Sequence, residues 1–252
     1  MLKTFLVDGD KGGVGKTMVS RIIADAYVRH AATGLPQAKI ICLDADKSNP
    51  DFAGTGGYAK DEHIFTSGLV ALVDPDNWIK MINVMEPYIE MAETEEVRII
   101  ISLPAQIHSA FESASEEIGQ VMDMLNMVPI WVMNNSKDSI MLLENRIDLM
   151  HRRFQRGVVV LNQKFGSSDK FDLWNGSSLK KDIIQSGDWI ETTIPVLRAG
   201  TENSLGRTPF HVAESTRKGR EGQQLGLGDH IIVKAFRTVA TVDLACVEKM
   251  GG

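Results

Sequence analysis

Apolar positions along this chain fall into two spacings. Short unbroken runs occur at Phe5–Val7, Ala38–Leu43, Val97–Leu103, Val128–Met133 and Val158–Leu161. A strand with no polar alternation is one covered on both faces, as in parallel sheets flanked by helices. Between these runs, helical spacing predicts Thr17–His30, Trp78–Met91, His108–Met124, Ser139–Arg152 and Ile231–Glu248. In the first of these, Val19, Ile22, Ile23, Ala26 and Tyr27 share one stripe, with Arg21, Asp25 and Arg29 opposite. In the last, Ile232, Phe236, Val239 and Val247 form the apolar side. Strands alternating with helices imply an α/β architecture, a doubly wound and mostly parallel sheet joined by right-handed crossovers. No repeat or Pro/Gly linker divides the chain, so a single nucleotide-binding domain over residues 1–252 is expected. The Gly-rich stretch Arg217–Asp229 reads as a mobile loop.

Composition narrows the picture. The 252 residues are 43% apolar and 24% charged, ample for a core. No run approaches the roughly 18–20 apolar residues that span a bilayer. The N-terminal apolar stretch is too short, and too soon followed by Asp8, for a signal peptide. Cys42 and Cys246 supply neither a disulfide framework nor a thiolate metal site, so a reducing cytoplasmic location is expected. A net charge of −6 argues against coating nucleic acid with the whole surface. Local basic groups remain at Lys180–Lys181 and at Arg217, Lys218 and Arg220, as solvated surface or as DNA contacts. The six histidines show no ligand spacing, which supports no metal beyond a nucleotide's Mg²⁺. Nine of the twelve methionines lie between Met81 and Met150, as core filler or as an adaptable partner surface.

The chemistry concentrates where the first strand meets the first helix, from Asp8 to Thr17. Gly12, Gly13 and Gly15 let backbone wrap closely around phosphate oxygens. Amides from Gly12 through Met18, Val14 included, converge on an anion at the positive end of a helix. Lys16 is placed to reach the β- and γ-phosphates, and the Thr17 hydroxyl to hold Mg²⁺. ATP or ADP with Mg²⁺ is the expected cofactor. The ordinary form of this loop has glycine where this chain has Asp10, and it lacks the second lysine found here, Lys11.

The string Lys11-Gly-Gly-Val-Gly-Lys-Thr17 resembles the deviant Walker A motif of the ParA/MinD superfamily of partitioning and positioning ATPases. The resemblance implies a doubly wound P-loop fold and a nucleotide-sandwich homodimer in the ATP state, with Lys11 touching the partner's phosphates. Leu43-Asp44-Ala45-Asp46 matches the family's Asp-x-Asp; Asp46 would then orient the attacking water or hold the metal's water shell. For Asp44, capping of a loop competes with that role. Asn162 matches the base-reading asparagine, whose amide can both donate to and accept from adenine. Thr193-Ile194-Pro195-Val196 looks like the family's Ile-Pro segment, which puts Pro195 beside the base. The likeness runs from Met1 to about Leu197.

One departure is large. In Ile99–Gln106, Ser102 stands where the family has its Walker B aspartate, and Gln106 replaces a glycine. A serine hydroxyl can bond a metal-bound water but brings no charge, so weak Mg²⁺ retention and slow or absent turnover are expected. The resemblance implies a ParA-like partition protein, with a small DNA-binding or regulatory partner and non-specific DNA as ligands. The alternative is a nucleotide-gated adaptor or positioning protein in plasmid transfer or polar localisation. The C-terminal helix lacks a lysine-rich polar face, so membrane binding is not expected.

Overall fold

The computed structural model describes residues 1–47, 49–105 and 107–250, without the side chains of Lys60, His151 and Arg152. Seven strands form one sheet in the order β3-β2-β4-β1-β5-β6-β7, and every pairing is parallel. The strands are β1 (Leu2–Gly9), β2 (Lys39–Asp44), β3 (Thr66–Leu69), β4 (Val97–Ser102), β5 (Met127–Met133), β6 (Gly157–Asn162) and β7 (Trp189–Ile194). The helices are α1 (Lys16–Val28), α2 (His30–Thr33), α3 (Asp76–Met91), α4 (His108–Ser113), α5 (Ser115–Met124) and α6 (Lys137–Met150). They continue with α7 (Asp172–Asn175), α8 (Ser178–Gln185), α9 (Ala199–Leu205), α10 (Phe210–Thr216) and α11 (Leu227–Leu244).

Alternation along each strand feeds two cores. Phe5, Val7, Ile100, Ile130 and Val160 face α1, α10 and α11 through Ile23, Phe210 and Phe236. Leu6, Ile99, Ile101, Trp131 and Leu161 face the other layer through Trp78, Phe111, Ile118 and Leu143. Each such side chain contributes about 1.5–3 kcal/mol of burial. This double cover is why the five inner strands carry unbroken apolar runs. Six of the nine clustered methionines (Met81, Met85, Met122, Met127, Met133 and Met150) fill the second core, while Met124 and Met141 are exposed.

Several expectations need correction. The helix anticipated over His108–Met124 breaks at Ala114 (φ −143°, ψ 41°) into α4 and α5. Strands β3 and β7 carry no unbroken apolar run; both are edge strands and only partly buried. Arg21 and Asp25, placed on a solvent side of the first helix, are buried, because α10 and α11 pack over that side. Val239 is half exposed, whereas Val233, Phe236, Ala240 and Leu244 make the buried side of α11. The Gly-rich stretch is organised: a bridge pairs Lys218 with Gln224, and α11 already begins at Leu227. Among the described residues no helix is long and apolar enough to cross a membrane.

Candidate nucleotide site

After β1 the chain moves out to β2 and β3, returns to β4, and then runs the other way through β5, β6 and β7. Beside β1 the direction of winding reverses, and a crevice opens there at the carboxyl ends of the strands, where α/β sheets bind ligands. A cavity of about 880 Å³ occupies that position. Its size falls in the range of small-molecule and cofactor sites. Gly12, Gly13, Gly15, Lys16, Thr17 and Met18 line it, together with Asp46, Ser102, Asn162, Ile194, Pro195 and Leu197. The residues expected around phosphate, metal and base therefore do converge, each following a different strand.

The loop has the build of an anion cradle. Gly13 (φ 82°) and Gly15 (φ 109°) take left-handed conformations, and no side chain caps the α1 N-terminus. Its first amides are thus available to phosphate. Lys16 is only 8% exposed, and its ammonium donates to the Lys11 carbonyl at 3.0 Å. Burial lowers its pKa, against the raising influence of Asp8, Asp10 and Asp46. A desolvated cation beside uncapped amides is a site that an anion stabilises. Val14 is not among the residues lining the cavity: its side chain lies in the core and its carbonyl accepts from Asn162. The side chain of Lys11 is 57% exposed and is not among the residues lining the cavity.

The loop is braced from beneath. Buried Asp8 accepts from Arg146 Nε (3.2 Å) and pairs with its Nη2 (3.1 Å), tying the end of β1 to α6. Asp10, the residue in place of the usual glycine, accepts from Asn134 Nδ2 at 3.2 Å and Ser136 Oγ at 3.4 Å beyond β5. Asn162 donates from Nδ2 to the Val14 carbonyl at 2.8 Å and accepts from the Lys164 amide at 3.0 Å. In this arrangement the asparagine matched to base reading holds the phosphate loop, with one N–H left for the cavity it lines.

Asp44 is buried and accepts from the amides of Asp46 (3.1 Å), Phe52 (3.0 Å) and Ala53 (3.4 Å). Burial raises its pKa in spite of those three donors. Loop capping, the competing reading, is what its contacts show. Asp46 accepts from the Asn49 amide at 3.2 Å and lies on the cavity wall. Ser102, 3% exposed, ends β4 in register with Val7 and Asp44. Thr17, Asp46 and Ser102 thus share the wall near the loop and offer oxygen donors suited to a water-shelled Mg²⁺. Gln106 lies outside the described residues.

Sequence reasoning missed several cavity residues. Arg21 donates to the carbonyls of Gly206 (2.9 Å) and Thr208 (2.7 Å), and Arg207 pairs with Asp51. Arg220 and Glu202 also line the cavity. Their partners lie so far along the chain that no spacing signal could have found them.

An all-parallel sheet with β1 inside it, helices on both faces and a Gly-Lys-Thr loop opening α1 define an α/β P-loop protein. The doubled lysine of that loop is the feature that resembles the ParA/MinD superfamily. No protein-family model matches the chain. It is 26% identical over 185 residues, 73% of each chain, to Protein MobD of Acidithiobacillus ferrooxidans. Among solved structures, the MinD cell division protein of Aquifex aeolicus overlays with a TM-score of 0.49 at 16% identity, over 94% of this chain and 96% of that one.

Proposed function

We propose that this chain is a ParA/MinD-type ATPase switch: it binds ATP with Mg²⁺ in the crevice, closes as a homodimer across the nucleotide, and acts in partitioning plasmid or other DNA. The observation that carries the reading is the pair of lysines on one loop. Lys16 is buried toward the cavity, while the side chain of Lys11 stands outside it, more than half exposed and paired with Asp10 Oδ2 only at 4.0 Å, so that a second subunit's phosphates would add to its counter-charge. The test is molar mass by light scattering with ADP, ATP and a non-hydrolysable analogue. Wild type doubles its mass with ATP, whereas Lys11→Ala binds nucleotide and stays monomeric; a Lys11→Ala dimer would refute the reading. Retention on duplex DNA in the ATP state, falling steeply with salt, tests the partition branch.

The site supports binding more strongly than turnover. The wall position at the end of β4 holds a neutral hydroxyl, and the nearby Asp44 already accepts three amides. Ser102 thus adds no second carboxylate to Asp46 on the metal's side of the cavity, so hydrolysis is slow. Steady-state phosphate release is expected to rise in Ser102→Asp, and a slower variant would contradict this. The same observation favours a second reading, a nucleotide-gated adaptor or positioning protein in plasmid transfer or polar localisation, working through protein contacts in a chain of net charge −6. Absence of ATP-dependent DNA retention alongside intact dimerisation would select it.

A further inference from the structure

Beside α1 at Asp25, one turn along from the cavity residue Arg21, Asp61 and His63 meet His211 from a distant part of the sequence. Asp61 and His63 lie between the Asp46 loop and β3, and His211 lies on α10. One ligand atom from each falls within 4.8 Å of the other two. His63 Nδ1 lies 3.3 Å from Asp61 Oδ1, and His211 Nε2 lies 2.8 Å from Asp61 Oδ2. A tetrahedral ion with bonds of about 2.0–2.1 Å holds its ligands roughly 3.4 Å apart, so ligand atoms now up to 4.8 Å apart must draw in by about an ångström to share one.

Two further features point to a ligand. Asp61 Oδ2 is fully buried, and among the described residues it makes no aligned hydrogen bond, only the ion-pair contact with His211 Nε2 at 2.8 Å. In addition, His211 presents its other nitrogen, Nδ1, to Asp25 Oδ1 at 3.4 Å. Asp25 is itself held by Arg237, through Nε at 2.5 Å and Nη2 at 3.1 Å. A carboxylate behind one imidazole nitrogen, with the other aimed at a carboxylate and a second histidine, is the arrangement that orients metal-ligating histidines.

We propose that Asp61, His63 and His211 form a binding site for one divalent transition-metal ion of the Zn²⁺ class, distinct from the nucleotide's Mg²⁺. Two imidazoles and one carboxylate suit such an ion, whereas Mg²⁺ and Ca²⁺ prefer oxygen ligands alone. His63 is 44% exposed, which gives the ion a path in and leaves a fourth position for water. His211, 11% exposed, and Asp61 form the buried side. The ion would tie the segment following Asp46 to α10 and, through Asp25, to α1. The carboxylates of Asp25 and Asp61 flank His211 on either side, at 3.4 and 2.8 Å.

The test uses full-length protein, stripped with chelator, free of nucleotide and titrated with ZnCl₂ alone by calorimetry. One Zn²⁺ per chain is expected, with affinity falling at least roughly tenfold in His63→Ala and in Asp61→Asn. His63 is exposed enough for the first variant to fold, and circular dichroism verifies that it has. Co²⁺ should give the intense visible absorption of a four-coordinate ion, lost in His63→Ala. Absence of saturable Zn²⁺ binding overturns the proposal. So does unchanged affinity in the folded His63→Ala variant, which would assign the ion to other groups such as Cys246.

Discussion

The Asp8–Arg146 pair beneath the phosphate loop allows a quantitative test of how the site is supported. Both side chains are nearly inaccessible, at 2% and 5% exposure. They meet through two contacts of 3.1–3.2 Å, and the guanidinium also lies 4.0 Å over the Phe111 ring. Removing one member strands the other charge in the core, which costs about 3–5 kcal/mol. Asp8→Ala leaves a buried guanidinium; Arg146→Leu leaves a buried carboxylate. If the two were independent, the double variant would lose about 6–10 kcal/mol, comparable with the whole stability of an ordinary domain. With both charges gone nothing is stranded, so the double variant should lose no more than either single one. The coupling would then be at least about 3 kcal/mol, well beyond what separate sites show. Urea unfolding followed by circular dichroism at 25 °C measures all four corners of the cycle. Additive losses would refute the reasoning, as would a single variant costing less than about 1 kcal/mol.

Other consequences are testable in the same way. Gly15→Ala is expected to destabilise the protein by about 1–3 kcal/mol and to impair nucleotide binding, because a Cβ there meets Asn162 Nδ2 at 2.5 Å in a left-handed conformation; unfolding midpoints and an ATP titration check both. Glu248 is partly buried, which raises its pKa, but bonds from Arg98 and Tyr27 outweigh this and hold it below the ordinary range. A carboxyl with a lowered folded pKa contributes stability above its unfolded value and loses it as pH falls through the folded one. The drop in urea midpoint from about pH 7 to about pH 3 should therefore be smaller in Glu248→Gln than in wild type, and equal drops would contradict the assignment.

How much of this was legible in the sequence depends on where the partner of each residue lies. The inner strands were readable because both faces of each are buried, as in Val128–Met133. The edge strands were not: Trp189–Ile194 carries Glu191 and Thr192 on half-covered positions, and Thr66–Leu69 is four residues long. The loop residues Gly12, Gly13, Gly15, Lys16 and Thr17 were readable because their chemistry is local. Their supports were not, because Asp8 finds Arg146, and Asn162 finds Val14, across more than a hundred residues. The same distance hid Asp61, His63 and His211 from any search for ligand spacing. Asp25 and Arg21 misled for a different reason: polar residues opposite an apolar stripe normally face water, and here a second helical layer covers them.

The central claim is that the glycine loop and Lys16 hold the triphosphate. Titration of purified protein with Mg-ATP, read by a fluorescent analogue and competition with unlabelled ATP, tests it most directly, with Lys16→Ala in parallel. Saturable binding in wild type, weakened at least roughly tenfold in the variant by loss of a charge-assisted contact, is the expected result. No saturable binding in wild type, or equal affinity in both proteins, would contradict the account.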